Sequence, residues 1–131
     1  MLTQRPKEWK SEIIGYTKGS IWEHKGDFKG YLNKVSDQPQ EVCAGSNVYL
    51  ICGPAHIHYE LLQKIVPFVE PKSYVGTIYG QGGFDWMAYK AFGKDLKKKN
   101  LVLFGLQNVP SITQKKEYGA SVRIIGPKKI M

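Results

Sequence analysis

Residues 48–52 read VYLIC, a continuous, partly β-branched apolar run cut off at once by Gly53 and Pro54. Five residues are too few for a helix, and a strand without polar alternation is expected to be buried on both faces, as in parallel sheets. A parallel neighbour requires a crossover connection. From His56 onward the apolar positions Ile57, Leu61, Leu62, Ile65 and Val66 recur at helical spacing, and Pro67 and Pro71 close that segment. Residues 74–79, YVGTIY, then supply a second short apolar run, so the unit reads strand, helix, strand.

The pattern repeats. Gly80, Gln81, Gly82 and Gly83 punctuate the chain, and Phe84, Met87, Ala88 and Ala91 predict a second helix closed at Gly93. A charged KDLKKKN loop leads to residues 101–105, LVLFG, a third buried strand. Alternating β-α-β-α-β over about 60 residues predicts an α/β, doubly wound, mostly parallel sheet. Upstream, Gly15, Gly19, Gly26 and Gly30 divide aromatic segments that suit a small antiparallel ribbon, with Lys25, Gly26 and Asp27 as its turn. Residues 121–125, SVRII, alternate well enough for a last strand before Gly126 and Pro127.

Composition excludes several classes. With 42% hydrophobic and 23% charged residues in 131, the chain has the makeup of one folded domain and not of a disordered segment. Cys43 and Cys52 are too few for a secreted scaffold, and the charged start MLTQRPKEWK is unlike a signal peptide, so a cytoplasmic protein with free thiols is expected. No apolar run approaches a membrane span. The net charge of +8 is a C-terminal feature: residues 1–93 carry 10 basic and 9 acidic side chains, residues 94–131 carry 9 and 2. Those cations fall in loops without a helical stripe, which favours a solvated face over a nucleic-acid interface.

The chemistry-bearing motifs are few. The stretch from Gly80 has the first two glycines of the dinucleotide fingerprint G-x-G-x-x-G and Asp85 where the third belongs, so the fingerprint fails. It reads either as a plain strand-to-helix turn or as a place where backbone approaches a ligand. Open α/β sheets bind ligands outside the carboxyl ends of their strands, and Pro54, Ala55, the glycine turn and Asn108 all belong there. His56 and His58 are two apart on a helix, too divergent to chelate one ion, so no metal site is expected. His58 reads as a hydrogen-bond donor near a ligand or as a surface histidine. No catalytic constellation has supporting spacing.

From residue 35 onward the chain resembles the opine dehydrogenases. Pro54-Ala55-x-x-His58, Pro67 to Val69, the segment from Gly76 through GQGGF to Phe84, Val109-Pro110, Lys116-Glu117-Tyr118-Gly119 and SVRIIG follow that family's order and intervals. Leu2-Thr3-Gln4-Arg5-Pro6 is similar to the end of the family's second strand, with residues 6–14 as a short helix. The resemblance implies an incomplete Rossmann-like domain over residues 1–131, with a small antiparallel hairpin insertion. The family's first strand, its Gly-rich phosphate loop and its C-terminal helical domain fall outside the match.

The implied activity is an NAD(P)H-dependent reductive condensation of an α-keto acid with an amino acid, which this chain alone should not catalyse. The alternatives are a non-catalytic nucleotide-binding or regulatory remnant, or a basic nucleic-acid module. The implied cofactor residues are Thr3, Arg5, Pro54, Ala55, His58, Gly80, Gln81, Gly82 and Asn108. The end of the second strand has an arginine and no carboxylate, which points to NADP before NAD, with Arg5 and Thr3 at the 2′-phosphate; the bland reading of Arg5 is a solvated turn residue. The family's Trp-x-Cys-Arg after Leu-Pro is replaced by Ser111-Ile112-Thr113-Gln114, removing a guanidinium suited to a keto-acid carboxylate.

Overall fold

A computed structural model of the chain describes residues 1–17, 20–21, 24–80 and 82–127. In chain order the strands are β1 (Glu12–Thr17), β2 (Ser20–Ile21), β3 (His24–Lys25), β4 (Phe28–Tyr31), β5 (Val48–Ile51), β6 (Tyr74–Thr77), β7 (Val102–Gly105), β8 (Ser111–Glu117) and β9 (Ser121–Pro127). The helices are α1 (Pro39–Cys43), α2 (His58–Ile65), α3 (Phe84–Phe92) and α4 (Asp95–Lys98). They divide into two compact units, Pro39–Val109 and the combination of Met1–Gln38 with Pro110–Met131.

The Pro39–Val109 unit is the expected β-α-β-α-β fold, a parallel sheet in the order β5-β6-β7. Its core forms where the buried positions of strands and helices meet: Tyr49, Ile51 and Val75 with Leu62, Ile65, Ala88 and Phe92. The Tyr49 hydroxyl ties this core to the chain around it. Its single proton goes to Ser46 O (2.7 Å), with Cys43 O also within reach at 3.2 Å, and it accepts from Glu70 N (3.1 Å). Burial pushes both that phenol and the neighbouring Cys43 thiol above their ordinary pKa values. The Thr77 hydroxyl donates to Ile51 O at 3.1 Å, a side-chain link between β6 and β5.

One expectation for this sheet is corrected. The VYLIC strand is buried on one face only, since Val48 is 55% and Leu50 44% exposed while Tyr49 and Ile51 are buried. The register puts Val48, Tyr74 and Val102 in one row and Leu50, Gly76 and Phe104 in the next, both on the face turned away from the core. Tyr74 and Val102 are 50% and 47% exposed. The charged loop after Gly93 also differs from expectation, because residues 95–98 form the short helix α4 and bury Leu96.

In the second unit β1 pairs antiparallel with β4, the expected ribbon, and parallel with β9, which pairs antiparallel with β8. The expected turn at Lys25, Gly26 and Asp27 does join β3 to β4, but the two strands it links pair elsewhere, β3 with β2 and β4 with β1. Residues 6–14 are not one helix: a 3-10 turn covers Pro6–Glu8, and Ile13 and Ile14 are already in β1. The expected second strand is reduced to a parallel bridge between Leu2 and Ser36, with Thr3 N donating to Ser36 O at 3.0 Å and Ser36 N to Met1 O at 3.1 Å.

Candidate functional site

The carboxyl ends of β5, β6 and β7 carry the residues singled out at Pro54, Ala55, Gly80, Gly82 and Asn108. After β5 the chain passes through Gly53 and Pro54 into a 3-10 turn, Ala55–Ile57, that feeds α2. After β6 it runs through the glycine turn into α3. Gly82 takes φ +81°, and a Cβ built on it would lie 2.9 Å from Ala55 Cβ, so the two turns come together. Gly80 N donates to Leu106 O at 2.9 Å, and a Gly80 Cβ would meet Gly105 Cα at 3.2 Å, which joins the turn after β6 to the end of β7. Asn108 is half-buried in the loop that leaves β7. Gln81 lies outside the described residues.

Pro54, Ala55, Gly80 and Gly82 are all exposed, and none carries a side chain that would obstruct a molecule laid across the strand ends. Gly83, the residue preceding α3, lies in the left-handed region at φ 74° and offers no side-chain cap to the first-turn amides. Such amides suit an anion.

His58 has a structural place in this arrangement. It is 2% exposed, its Nε2 lies 2.9 Å from Gly53 O, and its ring meets Phe84 edge-on at 5.7 Å. A carbonyl only accepts, so Nε2 carries a proton, while the buried Nδ1 has no hydrogen-bond partner among the described residues. The histidine therefore fastens the start of α2 to the end of β5. Gly105, which lets the Gly80 backbone approach, was not among the expected site residues; its only sequence signal is a glycine closing an apolar strand.

Thr3 and Arg5 belong to the other unit. The Arg5 guanidinium pairs with Glu8 at 3.6 Å and lies 5.9 Å from the centre of the Tyr118 ring, while Arg5 N donates to the Thr3 hydroxyl at 3.3 Å. Among the described residues no group of three or more His, Cys, Asp or Glu could hold a metal ion, and no helix is long and apolar enough to cross a membrane. A cleft of about 370 Å³ lined by Gln40, Ala44, Pro67, Glu70 and Lys99 sits at the amino ends of β6 and β7, where Lys99 Nζ donates to Val66 O and Val69 O. Lys99 is committed there to holding backbone.

No family model matches the chain. Among curated proteins it is 29% identical over 99 residues to an opine dehydrogenase of Haliotis discus hannai, covering 76% of this chain and 24% of that protein. It is 32% identical over 97 residues to a tauropine dehydrogenase of Arabella iricolor, covering 74% and 24%. A solved structure of octopine dehydrogenase in complex with NADH and agmatine superposes with a TM-score of 0.79 at 19% identity, covering 90% of this chain and 28% of that one. The chain thus spans about a quarter of the length of the curated relatives it matches. Over three-quarters of its residues the chain is similar in sequence to opine dehydrogenases, and over nine-tenths it shares the Rossmann-like fold of a solved octopine dehydrogenase.

Proposed function

We propose that the chain carries part of the nicotinamide-cofactor domain of an opine-dehydrogenase-like oxidoreductase. The observation that carries this reading is the meeting of Gly82 with Ala55 at the carboxyl ends of two parallel strands, in a chain similar to opine dehydrogenases. A solved relative is a complex with NADH, which supports a nicotinamide cofactor here. The residues fit such a group: the exposed small residues leave the strand ends open to a pyrophosphate, and the uncapped amides of α3 offer donors to it.

When bound, the cofactor would supply hydride for the reductive condensation of an α-keto acid with an amino acid. The chain's own part is to seat it: Pro54, Ala55, Gly80, Gln81 and Gly82 shape the floor, His58 fixes the turn beneath, and Asn108 borders it. No residue of the chain is assigned a catalytic role, and residues 1–131 are read as a single partial cofactor domain. Two free thiols accord with a reducing, cytoplasmic setting.

The finer proposal is a preference for NADP over NAD, with Arg5 and Thr3 at the 2′-phosphate. Arg5 is well exposed and its ion pair with Glu8 is a loose one, so a phosphate dianion would compete for it. Fluorescence titration of NADPH and NADH against the purified chain tests this. Saturable enhancement is expected at lower NADPH than NADH concentration, with the difference lost in Arg5→Ala. Tighter NADH binding unchanged by that substitution contradicts it. A salt-dependent gel shift without cofactor binding would favour a nucleic-acid module instead.

A further inference from the structure

The unit formed by Met1–Gln38 and Pro110–Met131 has a cleft of its own, about 500 Å³ in volume, on one face of its sheet. That size is common among small-molecule sites. Ile14, Ser121 and Glu117 stand side by side in one row of the register, and Glu12 and Tyr16 lie two residues to either side of Ile14, so all five share a face. Together with Lys10 they line the cleft. Lys116 Nζ covers the Tyr16 ring, 4.4 Å from its centre.

The charges are arranged in a definite order. Lys10 Nζ and Glu117 Oε1 are 2.9 Å apart, with both side chains more than half exposed. A pair so exposed contributes little to folding, and it presents a cation and an anion side by side. Glu12 is the third charge of the lining. Its Oε2 accepts from the Tyr31 hydroxyl at 2.9 Å and its Oε1 from Lys29 Nζ at 3.4 Å, which favours the ionised form and leaves each oxygen a further lone pair. Ser121 is 8% exposed, and its hydroxyl has no hydrogen-bond partner among the described residues. Buried polar groups are ordinarily bonded, so an unbonded hydroxyl in the floor of a cleft marks a place for a polar atom of a ligand.

We propose that this cleft binds a free basic α-amino acid. The adjacent ammonium and carboxylate of such a molecule pair in reverse with Glu117 and Lys10, and the Ser121 hydroxyl donates to the carboxylate. The aliphatic stem then crosses Ile14 and brings the side-chain cation to Glu12. The lengths agree: Glu117 and Glu12 are separated by two strand spacings and two residues of rise, about 12 Å on the diagonal. An extended lysine, about 7 Å between its nitrogens with a hydrogen bond of about 2.8 Å at each end, spans about 13 Å. One cation and two anions line the cleft, a net charge of −1 that a basic amino acid offsets and a phosphate would aggravate. None of these residues belongs to the floor at Ala55 and Gly82, so the inference does not rest on the cofactor reading.

Amide chemical-shift mapping of the isotope-labelled full chain, titrated with L-lysine at constant ionic strength, reads the site. Saturable shifts are expected at Glu12, Ile14, Glu117 and Ser121, with Ala55 and Gly82 unmoved. L-Norleucine lacks the side-chain cation and cadaverine lacks the carboxylate, and each should bind at least about threefold more weakly, the size of one partly exposed ion pair. Glu12→Gln keeps an acceptor for Tyr31 and should reduce lysine to the affinity of norleucine, leaving norleucine unchanged. Ser121→Ala removes an unbonded hydroxyl, so the thermal transition should stay within a few degrees while lysine and norleucine weaken alike and cadaverine does not. Equal binding of the three probes, shifts that sodium chloride reproduces, or a preference for lysine over norleucine that survives Glu12→Gln overturns the proposal. A separate NADH titration keeps the two readings apart: lysine binding without cofactor binding retains this site and removes the cofactor reading, and the converse removes this site alone.

Discussion

Ala55 and Gly82, 27 positions apart in the sequence, are in contact across the ends of β5 and β6, because Gly82 adopts φ +81° and has no Cβ to collide with the alanine methyl at 2.9 Å. The turn is doubly specified, by backbone conformation and by the neighbour. Gly82→Ala should destabilise the Pro39–Val109 unit by about 1 to 3 kcal/mol, from the left-handed backbone penalty with the crowding added. Ala55→Gly made alongside it should recover the crowding part and leave the backbone part. Urea unfolding of the two variants and their combination measures both.

Gly76 and Phe104 are register partners on β6 and β7, and the Phe104 ring occupies the space above the glycine: a Cβ there would be 2.5 Å from the ring. Gly76→Ala should cost about 1 to 3 kcal/mol by overpacking. The same substitution in a Phe104→Ala background should cost clearly less, so a double-mutant cycle by chemical denaturation should return a coupling between the two sites.

His58 holds Gly53 O from a nearly sealed position. His58→Ala should lower stability by about 2 to 4 kcal/mol, through the cavity and the unpaired carbonyl together. Nitrogen NMR of the wild-type ring should find the proton on Nε2. A proton on Nδ1 would refute the assignment of His58 as the donor to β5.

Tyr31 and Glu12 are paired directly across β4 and β1, and the Tyr31 hydroxyl donates to Glu12 Oε2 at 2.9 Å. That bond, helped by Lys29, lowers the Glu12 pKa below its usual 4.5, and acceptance by the carboxylate raises Tyr31 above 10.0. For Glu12, the folded value lies below the unfolded one, so its contribution to stability is present above about pH 4.5 and fades as pH falls through the folded value. For Tyr31 the folded value is the higher, so its contribution is present below about pH 10 and fades as pH rises through the folded value. Glu12→Gln should return the Tyr31 titration toward 10.0, read by ultraviolet absorbance or NMR.

The residues explain which parts of the fold were legible. The β5-α2-β6-α3-β7 series has continuous apolar runs alternating with 3.6-residue spacing, signals that tertiary contacts reinforce. β8 reads SITQKKE, with a single apolar residue, and exists because β9 pairs with it, which no local pattern announces. Ile13 and Ile14 after a proline fit a helix as well as a strand, and pairing with β4 and β9 decides for the strand. VYLIC was read as buried on both faces because continuous hydrophobicity cannot distinguish a covered face from one that the described chain leaves bare. In the site, small residues at strand ends are legible from topology, whereas the sequence leaves His58 as either a donor near a ligand or a surface histidine, and its bond to Gly53 O places it underneath.

The central claim, that the ends of β5 and β6 seat a nicotinamide dinucleotide, is tested most directly by amide chemical-shift mapping of the isotope-labelled chain titrated with NADPH and with NADH. The account predicts the largest saturable shifts at Ala55, Gly80, Gly82 and the first turn of α3, with the NADPH titration also moving Arg5. Shifts confined to the lysines of β8 and abolished by moderate salt, with Ala55 and Gly82 unmoved at saturating cofactor, would contradict it.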